Sequence, residues 1–233
     1  MTRKSATSVG PALSHQSGCN PGVGRVELWE TTMLHAAAKP TAPTNPAPAN
    51  PSAAKRRLLE IIKRKSLLTE GGPFKLASGA MSDYYLDMKP TAFDPEGAAL
   101  IAEIIVQMLA NDPDADSIGG LELGAVPIVA AVCAHSFGVR PINGFVVRKE
   151  NKGHGTDKKI DGNFKDGSRV VLVEDVTTKG GSVMQAVRAV RARGATVDTV
   201  ITIVDRLEGA AETLKQEGIR LLPIFTTRDL LGA

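Results

Sequence analysis

Two adjacent acids and a glycine-rich turn form the stretch of this sequence best suited to chemistry. Glu174 and Asp175 directly follow the apolar run 170–173, and the next residues read Val-Thr-Thr-Lys-Gly-Gly-Ser up to Ser182. Amide N–H groups of such a turn, and of a helix beginning after it, converge on an anion, for which phosphate is the expected ligand. The residue order differs from the P-loop of nucleotide-binding proteins. The stretch therefore favours a phosphate site beside two carboxylates over a merely solvated turn.

A second stretch, residues 148–162, concentrates positive charge. It is rich in glycine and charged residues and lacks apolar periodicity, which predicts a long mobile loop rather than a packed element. Its cationic side chains are Arg148, Lys149, Lys152 and His154. Loops of this length are usually functional or disordered, and this one would suit a lid that neutralises a polyphosphate leaving group. A solvated charged hairpin is the alternative interpretation.

The elements that must position these residues alternate between strand and helix. Helix-like spacing or capping occurs at 94–109, 124–137, 181–193 and 208–217, and apolar strand-like runs occur at 117–121, 141–148, 170–174, 197–204 and 219–225. This alternation predicts an α/β fold whose five-stranded, mostly parallel sheet is covered on both faces. Ligands of such sheets bind beyond the carboxyl ends of the strands, which is where Glu174 and Asp175 are expected.

The first 54 residues differ from the rest of the chain. They hold seven of the 14 prolines and a proline-alanine tract at 39–52, which predicts a disordered tail rich in Pro, Ala and Ser. A transit peptide, or a natural start at Met33, is an alternative account of this part. The folded part is expected to begin near Ala53, with a basic amphipathic helix at 55–65.

Two adjacent tyrosines mark the next segment. Short strands are predicted at 74–76 and 83–88, around a turn at Ser78 and Gly79. On a strand, Tyr84 and Tyr85 point to opposite faces, so one could line a pocket for a flat ring while the other packs. An aromatic pair in the core is the alternative.

Composition limits the range of functions. The chain has 233 residues and a net charge of +3, of which the first 54 residues carry +2. The remaining +1 is too little to suggest nucleic-acid binding, and no apolar run reaches the length of a membrane span. Cys19 and Cys133 match no disulfide or metal pattern, so a reducing compartment, the cytoplasm, is expected.

The acid pair and turn resemble the ribose-5-phosphate loop of the type I phosphoribosyltransferases, and further motifs resemble the orotate phosphoribosyltransferases among them. These motifs follow in family order from about residue 55 to the C-terminus. They are Ser78-Gly79 with Ser82, Tyr84, Tyr85, Asp87 and Lys89; Gly120 to Pro127; Arg148-Lys149-Glu150 with Lys152, His154-Gly155 and Ile160-Asp161-Gly162; and Arg206. The resemblance implies a phosphoribosyltransferase domain at 55–233, with a small hood over the active site at about 55–92 and a core at about 93–233.

The resemblance also implies a reaction and roles for residues. Ribose 5-phosphate would pass from phosphoribosyl pyrophosphate (PRPP) to orotate, with Mg2+ held mainly through PRPP and no dedicated metal site. Catalytic roles would fall to Lys149, Lys152, His154 and Asp175. PRPP would be bound by Arg148, Lys149, Lys152, His154, Glu174, Asp175, Val176, Thr177, Thr178, Lys179, Gly180, Gly181 and Ser182. Orotate would be bound by Tyr84, Tyr85, Thr178 and Arg206. A homodimer whose lid is shared between subunits is implied as well.

The sequence departs from the family pattern at two PRPP contacts. Some members have a lysine immediately before the Ser-Gly turn, where this chain has Ala77, and others have Tyr-Lys at the position of Leu123-Gly124. The contribution of both positions to PRPP binding is therefore in doubt. Two other functions remain open: a phosphoribosyltransferase for a purine base, and a regulator of the same fold that senses PRPP without turnover.

Overall fold

A computed structural model describes residues 51–75, 81–112, 114–150 and 159–232 of the chain. Within these residues the helices and strands follow one another as predicted from Pro95 onward, with one additional strand, Ile160–Gly162, and one additional helix, Thr227–Leu231. In chain order the elements are α1 (Pro51–Lys65), β1 (Leu67–Leu68), β2 (Phe74–Lys75), β3 (Met81–Ser82), β4 (Tyr85–Leu86), α2 (Lys89–Ala92), α3 (Pro95–Leu109), β5 (Ser117–Leu121), α4 (Ala125–Ser136), β6 (Asn143–Val147), β7 (Ile160–Gly162), β8 (Val170–Thr177), α5 (Gly181–Arg191), β9 (Thr199–Asp205), α6 (Ala210–Gln216), β10 (Arg220–Thr226) and α7 (Thr227–Leu231).

The central sheet has six strands in the order β10-β9-β8-β5-β6-β7. Five of them are parallel, which confirms the predicted α/β class and its mostly parallel sheet. The predicted strand count of five is wrong, because β7 pairs antiparallel with β6 at the edge. This strand was predicted to be loop since its sequence, Ile-Asp-Gly, offers a single apolar residue and no alternation to signal pairing.

Two apolar clusters cover the two faces of the sheet. Along β8, Val171 and Val173 belong to the cluster that includes residues of α1, α3 and α4, whereas Val170 and Leu172 belong to the cluster that includes residues of α5. Because successive side chains of a strand point to opposite faces, burial on both sides requires the uninterrupted apolar run seen in the sequence. The core thus holds β8 rigidly up to the point where its charged residues begin.

The strand β8 is longer than predicted. The sequence suggested that Glu174 and Asp175 end it, but the strand continues to Thr177. Its neighbour β9 extends equally far, and the two strands stay paired through Glu174 with Thr202 and Thr177 with Asp205. Polar residues can occupy this part of the strand because their backbone groups bond to β9, and the buried Thr177 hydroxyl donates to Asp205.

The sheet opens between β5 and β8. These two strands pair only from Ser117 with Val170 to Gly119 with Leu172, and β5 then pairs with β6 alone. The strand that follows β5 in the chain, β6, lies on one side of β5, whereas β8, β9 and β10 lie on its other side. The strand order therefore reverses at β5. A crevice at such a switch point is the standard ligand site of an open parallel sheet.

The N-terminal part packs partly on the core and partly as small sheets. Residues 1–50 of the predicted tail lie outside the described residues, and α1 begins at Pro51, before the predicted boundary at 54. Proline is well tolerated at the first helical position, and Ala54 is buried against the core, which explains the earlier start. The strands β2 and β4 lie within the predicted strands 74–76 and 83–88, but β2 pairs with β3 and β4 pairs with β1. The predicted turn at Ser78 and Gly79 lies outside the described residues. None of the helices described has the length and apolar character of a membrane span.

The helix α3 begins as its sequence predicts. The Asp94 side chain accepts a hydrogen bond from the Gly97 amide at 2.9 Å, with Pro95 at the first helical position. Lys65 at the end of α1 forms an ion pair with the same carboxylate. This contact ties α1 to the start of α3 and holds the pKa of Asp94 below its usual range.

We predict that Gly119→Ala destabilises the protein. An added Cβ would overlap the ring of Phe145 in the neighbouring strand, so the core must shift. Overpacking of this kind lowers the free energy of unfolding by about 1–3 kcal/mol. In a protein of this size each kcal/mol lowers Tm by about 2–4 °C. Thermal unfolding followed by circular dichroism measures the change. Gly181→Ala, where no atom lies within 4 Å of the added carbon, is the control and should leave Tm nearly unchanged.

Candidate active site

A polar cleft of about 280 Å³ lies where β5 and β8 separate. Its lining residues come from the start of α2, the end of β5 and the turn after it, the second residue after β6, the end of β8, and the first turn of α5. They are Lys89, Leu121, Glu122, Leu123, Gly124, Lys149, Glu174, Asp175 and Ser182. The cleft therefore collects three carboxylates and two ammonium groups at the carboxyl edge of the sheet.

A larger surface depression of about 430 Å³ lies elsewhere, lined by residues of α6 and of the start of β10. It faces the amino end of an edge strand, where parallel sheets do not usually bind ligands. The smaller cleft is the better candidate because it combines the strand ends with converging charged groups.

Glu174 is buried at the end of the apolar part of β8. The residue is only 7% exposed, and its Oε2 atom has no hydrogen-bond partner among the described residues. Burial raises the pKa of Glu174 well above its usual range, and the charge of Asp175 raises it further, while Lys149 acts in the opposite direction. A buried carboxylate oxygen without a partner indicates a group that awaits a hydrogen-bond donor from a ligand.

Asp175 lies against the turn after β5. Its Oδ1 accepts a hydrogen bond from the Val176 amide at 2.8 Å. At Gly124, an added Cβ would come within 2.5 Å of the Asp175 carboxyl carbon. The absence of a side chain at position 124 therefore lets the turn approach this carboxylate. Gly124, one of the departures from the family pattern, is thus required here for steric reasons.

The predicted phosphate turn lies directly after β8. Thr178 and Lys179 are exposed, Gly180 has a left-handed φ of 84°, and α5 begins at Gly181 with Ser182 in its first turn. The first amides of a helix have no partner within the helix, and its dipole favours an anion at this end. The structure thus brings Thr178, Lys179, Gly180, Gly181 and Ser182 together as the sequence predicts.

Lys149 reaches the cleft from the end of β6. Its backbone amide donates to Oε1 of Glu122 at 2.9 Å, and the Glu122 amide donates to the carbonyl of Val147 at 2.8 Å. Glu122 therefore fixes the point at which the chain leaves the sheet and enters the predicted lid.

Arg148 is held on the edge strand instead of facing the cleft. Its Nε donates to Oδ2 of Asp161 in β7 at 2.5 Å, and its backbone amide donates to the carbonyl of Lys159. The loop predicted at 148–162 is thus closed at its base by β-pairing, which corrects the prediction that the whole stretch is unpacked. Lys152 and His154 lie outside the described residues.

Arg206 and Tyr84 meet beyond the end of β9. The guanidinium carbon of Arg206 lies 4.7 Å from the centre of the Tyr84 ring, and the arginine side chain is 8% exposed. Its Nε lies 2.7 Å from Oε1 of Glu208. Tyr85 points elsewhere, with its ring centre 6.1 Å from that of Phe74. The structure thus separates the two tyrosines, with Tyr84 at the arginine and Tyr85 in a ring contact with Phe74, and the orotate-binding role predicted for both stays a prediction.

A buried network joins the ends of β8 and β9. Thr177 donates its hydroxyl to Oδ1 of Asp205 at 3.2 Å, the Leu207 amide donates to the same oxygen, and the Arg206 amide donates to the carbonyl of Thr177. Asp205 thus sets the direction in which the chain carries Arg206. The sequence alone predicts no role for Asp205 or Glu122. Both nevertheless carry the signal that identified Glu174, because each is an acidic residue at the carboxyl end of a core strand.

No group of three or more potential metal ligands occurs among the described residues. The carboxylate oxygens of Glu174 and Asp175 are hard ligands, of the type that Mg2+ accepts. Such a site fits a metal held mainly through oxygens of a bound phosphate compound, with at most one or two protein ligands.

Comparison with known proteins agrees with this geometry. Residues 93–218 match the model of the phosphoribosyl transferase domain. An orotate phosphoribosyltransferase of Bradyrhizobium sp. (strain BTAi1) is 48% identical over 77% of this chain and 98% of the relative. The crystal structure of orotate phosphoribosyltransferase from Mycobacterium tuberculosis H37Rv with Fe(III) dicitrate has a TM-score of 0.68 and 38% identity, covering 76% of this chain and 98% of that one.

A structure of the Mycobacterium tuberculosis enzyme in complex with PRPP has a TM-score of 0.65 and 35% identity, again covering 76% of this chain and 98% of that one. The domain match, the level of identity and the near-complete coverage of the relatives agree with one another. The chain therefore belongs to the phosphoribosyltransferase family and, within it, to the orotate phosphoribosyltransferases.

Proposed function

We propose that this protein transfers ribose 5-phosphate from PRPP to N1 of orotate in pyrimidine biosynthesis, giving orotidine 5'-monophosphate and pyrophosphate. The observation that carries the proposal is the arrangement on β8: the buried Glu174 and the half-buried Asp175 lead into the turn before α5, beside the crevice where β5 and β8 separate. Arg206 with Tyr84 at the end of the adjacent strand supplies the second half of a two-substrate site.

The donor would be held along β8. The carboxylates of Glu174 and Asp175 would accept hydrogen bonds from the two ribose hydroxyls, which would satisfy the unpaired Oε2 of Glu174. The amides of 178–182 and the start of α5 would bind the 5-phosphate, as expected for a helix N-terminus. In this arrangement the ribose is fixed at both ends while its C1 atom faces the cleft.

The leaving group would be stabilised by cations. As the bond from C1 to pyrophosphate breaks, positive charge develops on the ribose and negative charge on the departing oxygen. Lys149 lies at the cleft, and Lys152 and His154 would join it when the lid closes. Mg2+, when bound, would supply further positive charge to the pyrophosphate oxygens.

The acceptor would lie at Arg206. A guanidinium matches a planar carboxylate through two parallel hydrogen bonds, and orotate carries such a group. In the structure Arg206 already pairs with the carboxylate of Glu208 at 2.7 Å, so an acceptor carboxylate would join or replace this contact. The Tyr84 ring stacks on the guanidinium and limits where the acceptor ring can lie.

The assembly and location of the protein are also proposals. Sharing of the lid between the subunits of a homodimer would place Lys152 and His154 over the neighbouring active site, as the family resemblance implies. A cytoplasmic location follows from the absence of a cysteine pairing pattern in the sequence. Fractionation of the cells of origin, with activity in the membrane fraction, would contradict that location.

A steady-state assay tests the function. We expect Mg2+-dependent release of pyrophosphate from PRPP with orotate, and no turnover with adenine or hypoxanthine. Turnover with a purine base instead would support the alternative acceptor. Binding of PRPP without turnover of any base would support the regulator and overturn the proposed activity.

We predict that Arg206→Lys raises the KM for orotate about 10- to 100-fold, because a lysine keeps the charge but loses the planar pair of donors. The KM for PRPP should change less than twofold. Arg191→Lys is the matched control, since Arg191 also pairs with a glutamate, Glu217, but lies outside the cleft. An unchanged KM for orotate in Arg206→Lys would show that the acceptor carboxylate binds elsewhere.

We predict that Glu174→Gln stabilises the unliganded protein while lowering kcat. Since the pKa of Glu174 is raised on folding, the folded state binds its proton more tightly, and stability is lost as pH rises above the unfolded value of about 4.3. The variant should therefore gain Tm relative to wild type at pH 7 and lose this gain at pH 4. Differential scanning calorimetry measures Tm at pH 7 and at pH 4, and Glu212→Gln, at an exposed position of α6, is the control. Equal Tm values at pH 7 would contradict a pKa of Glu174 that is raised on folding.

We predict that mixing two inactive variants restores activity if the lid is shared. Lys152→Ala removes a cation of the lid, and Glu174→Ala damages the donor site, so a mixed dimer would contain one intact combination. Activity up to roughly a quarter of wild type is expected after subunit exchange, from the statistical fraction of intact sites. No recovery, although mixed dimers form, would count against shared sites.

A further inference from the structure

Lys89 is a cation in the cleft to which the motif comparison assigned no specific contact. It is the first residue of α2, directly after Met88, whose side chain is fully buried in the core. Its side chain lines the same cleft as Lys149, Glu174 and Asp175. The buried neighbour fixes the backbone at this point, so the ammonium group enters the cleft from a well-anchored position.

Asp87 positions the Lys89 side chain. Oδ1 of Asp87 accepts hydrogen bonds from the Lys89 backbone amide at 3.0 Å and from its Nζ at 2.6 Å. The hydrogen bond to Asp87 raises the pKa of Lys89, and the charges of Asp87 and Asp175 raise it further, against a lowering by burial. The group is therefore charged at neutral pH and already oriented before a ligand binds.

The charges of the cleft indicate what Lys89 binds. In the proposed donor site, Glu174 and Asp175 bind ribose hydroxyl groups and the amides of 178–182 bind the 5-phosphate. The pyrophosphate is then the part of PRPP whose negative charge still requires cations. The turn after β5 supplies no cation at position 124, because Asp175 leaves no room for a side chain there. Among the described residues that line the cleft, Lys89 and Lys149 carry the positive charge.

We propose that Lys89 binds the pyrophosphate group of PRPP, with Asp87 as its positioning residue. The proposal rests on the proposed function, because it assigns a contact within the same donor site. Lys89 would approach the pyrophosphate from α2 while Lys149 approaches from the end of β6. The two cations therefore come from separate elements.

The ion pair of Lys89 with Asp87 contributes little to folding, which makes the residue suitable for mutation. The two side chains are 51% and 29% exposed. Exposed pairs of this kind contribute little net stability, so Lys89→Met should fold normally. Lys65→Met is a matched control, because Lys65 also pairs with an aspartate at the start of a helix but does not line the cleft.

The test is to measure KM for both substrates, and the Kd of magnesium pyrophosphate by calorimetry, for wild type, Lys89→Met, Lys89→Arg and Lys65→Met. Loss of a charge-assisted contact should raise the KM for PRPP and the Kd of pyrophosphate about 10- to 100-fold in Lys89→Met. The KM for orotate should stay within twofold. Lys89→Arg should recover most of the binding, and Lys65→Met should match wild type.

The outcomes separate this proposal from the proposed function. If wild type turns over orotate and Lys89→Met has wild-type values for PRPP and pyrophosphate, the assignment of Lys89 is overturned and the function stands. If wild type binds neither compound and turns over no orotate, the proposed function itself fails. An equal loss in Lys65→Met would also overturn the assignment, since it would attribute the effect to the loss of a surface ion pair.

Discussion

The carboxylate of Glu174, buried at the end of β8, is the constraint on which the rest of the structure depends. Burying an ionised group without a partner is unfavourable, and a neighbouring Asp175 makes it more so. The fold accepts this cost because apolar packing on both faces of the sheet fixes β8 up to Val173. The carboxylate is thus held in place before a ligand arrives, and the ligand's hydroxyl groups would complete its hydrogen bonding.

The surrounding elements follow from the need to keep this acid pair accessible. The strands β5 and β8 stop pairing after Gly119 and Leu172, which opens the crevice. Gly124 lets the turn after β5 approach Asp175, and Glu122 holds the amide of Lys149 at the entrance of the lid. Asp205 directs the chain at the end of β9 so that Arg206 meets Tyr84. These contacts lie at the carboxyl ends of β5, β8 and β9, and Glu122, Gly124 and Lys149 line the cleft itself.

The fold class and the core of the site could be predicted from the sequence because strong local signals mark them. The apolar run of β8, the acid pair and the glycines before α5 lie within a few residues of one another, and their physical consequences are local. The sheet's sixth strand could not be predicted, since Ile160–Gly162 becomes a strand only through pairing with β6. The extension of β8 to Thr177 likewise depends on the equal length of its neighbour β9. Contacts that cross the fold were least predictable: Arg148 with Asp161, Thr177 with Asp205, and Lys89 in the cleft with Asp175.

The central claim is that one cleft at the carboxyl ends of β5 and β8 holds both substrates with the acid pair at its centre. A crystal structure of the protein with PRPP, Mg2+ and orotate tests it most directly. The account predicts ribose hydroxyls on Glu174 and Asp175, the 5-phosphate on the amides of 178–182, and the orotate carboxylate on Arg206. Binding of PRPP away from β8, or with its ribose hydroxyls bonded to neither carboxylate, would contradict it.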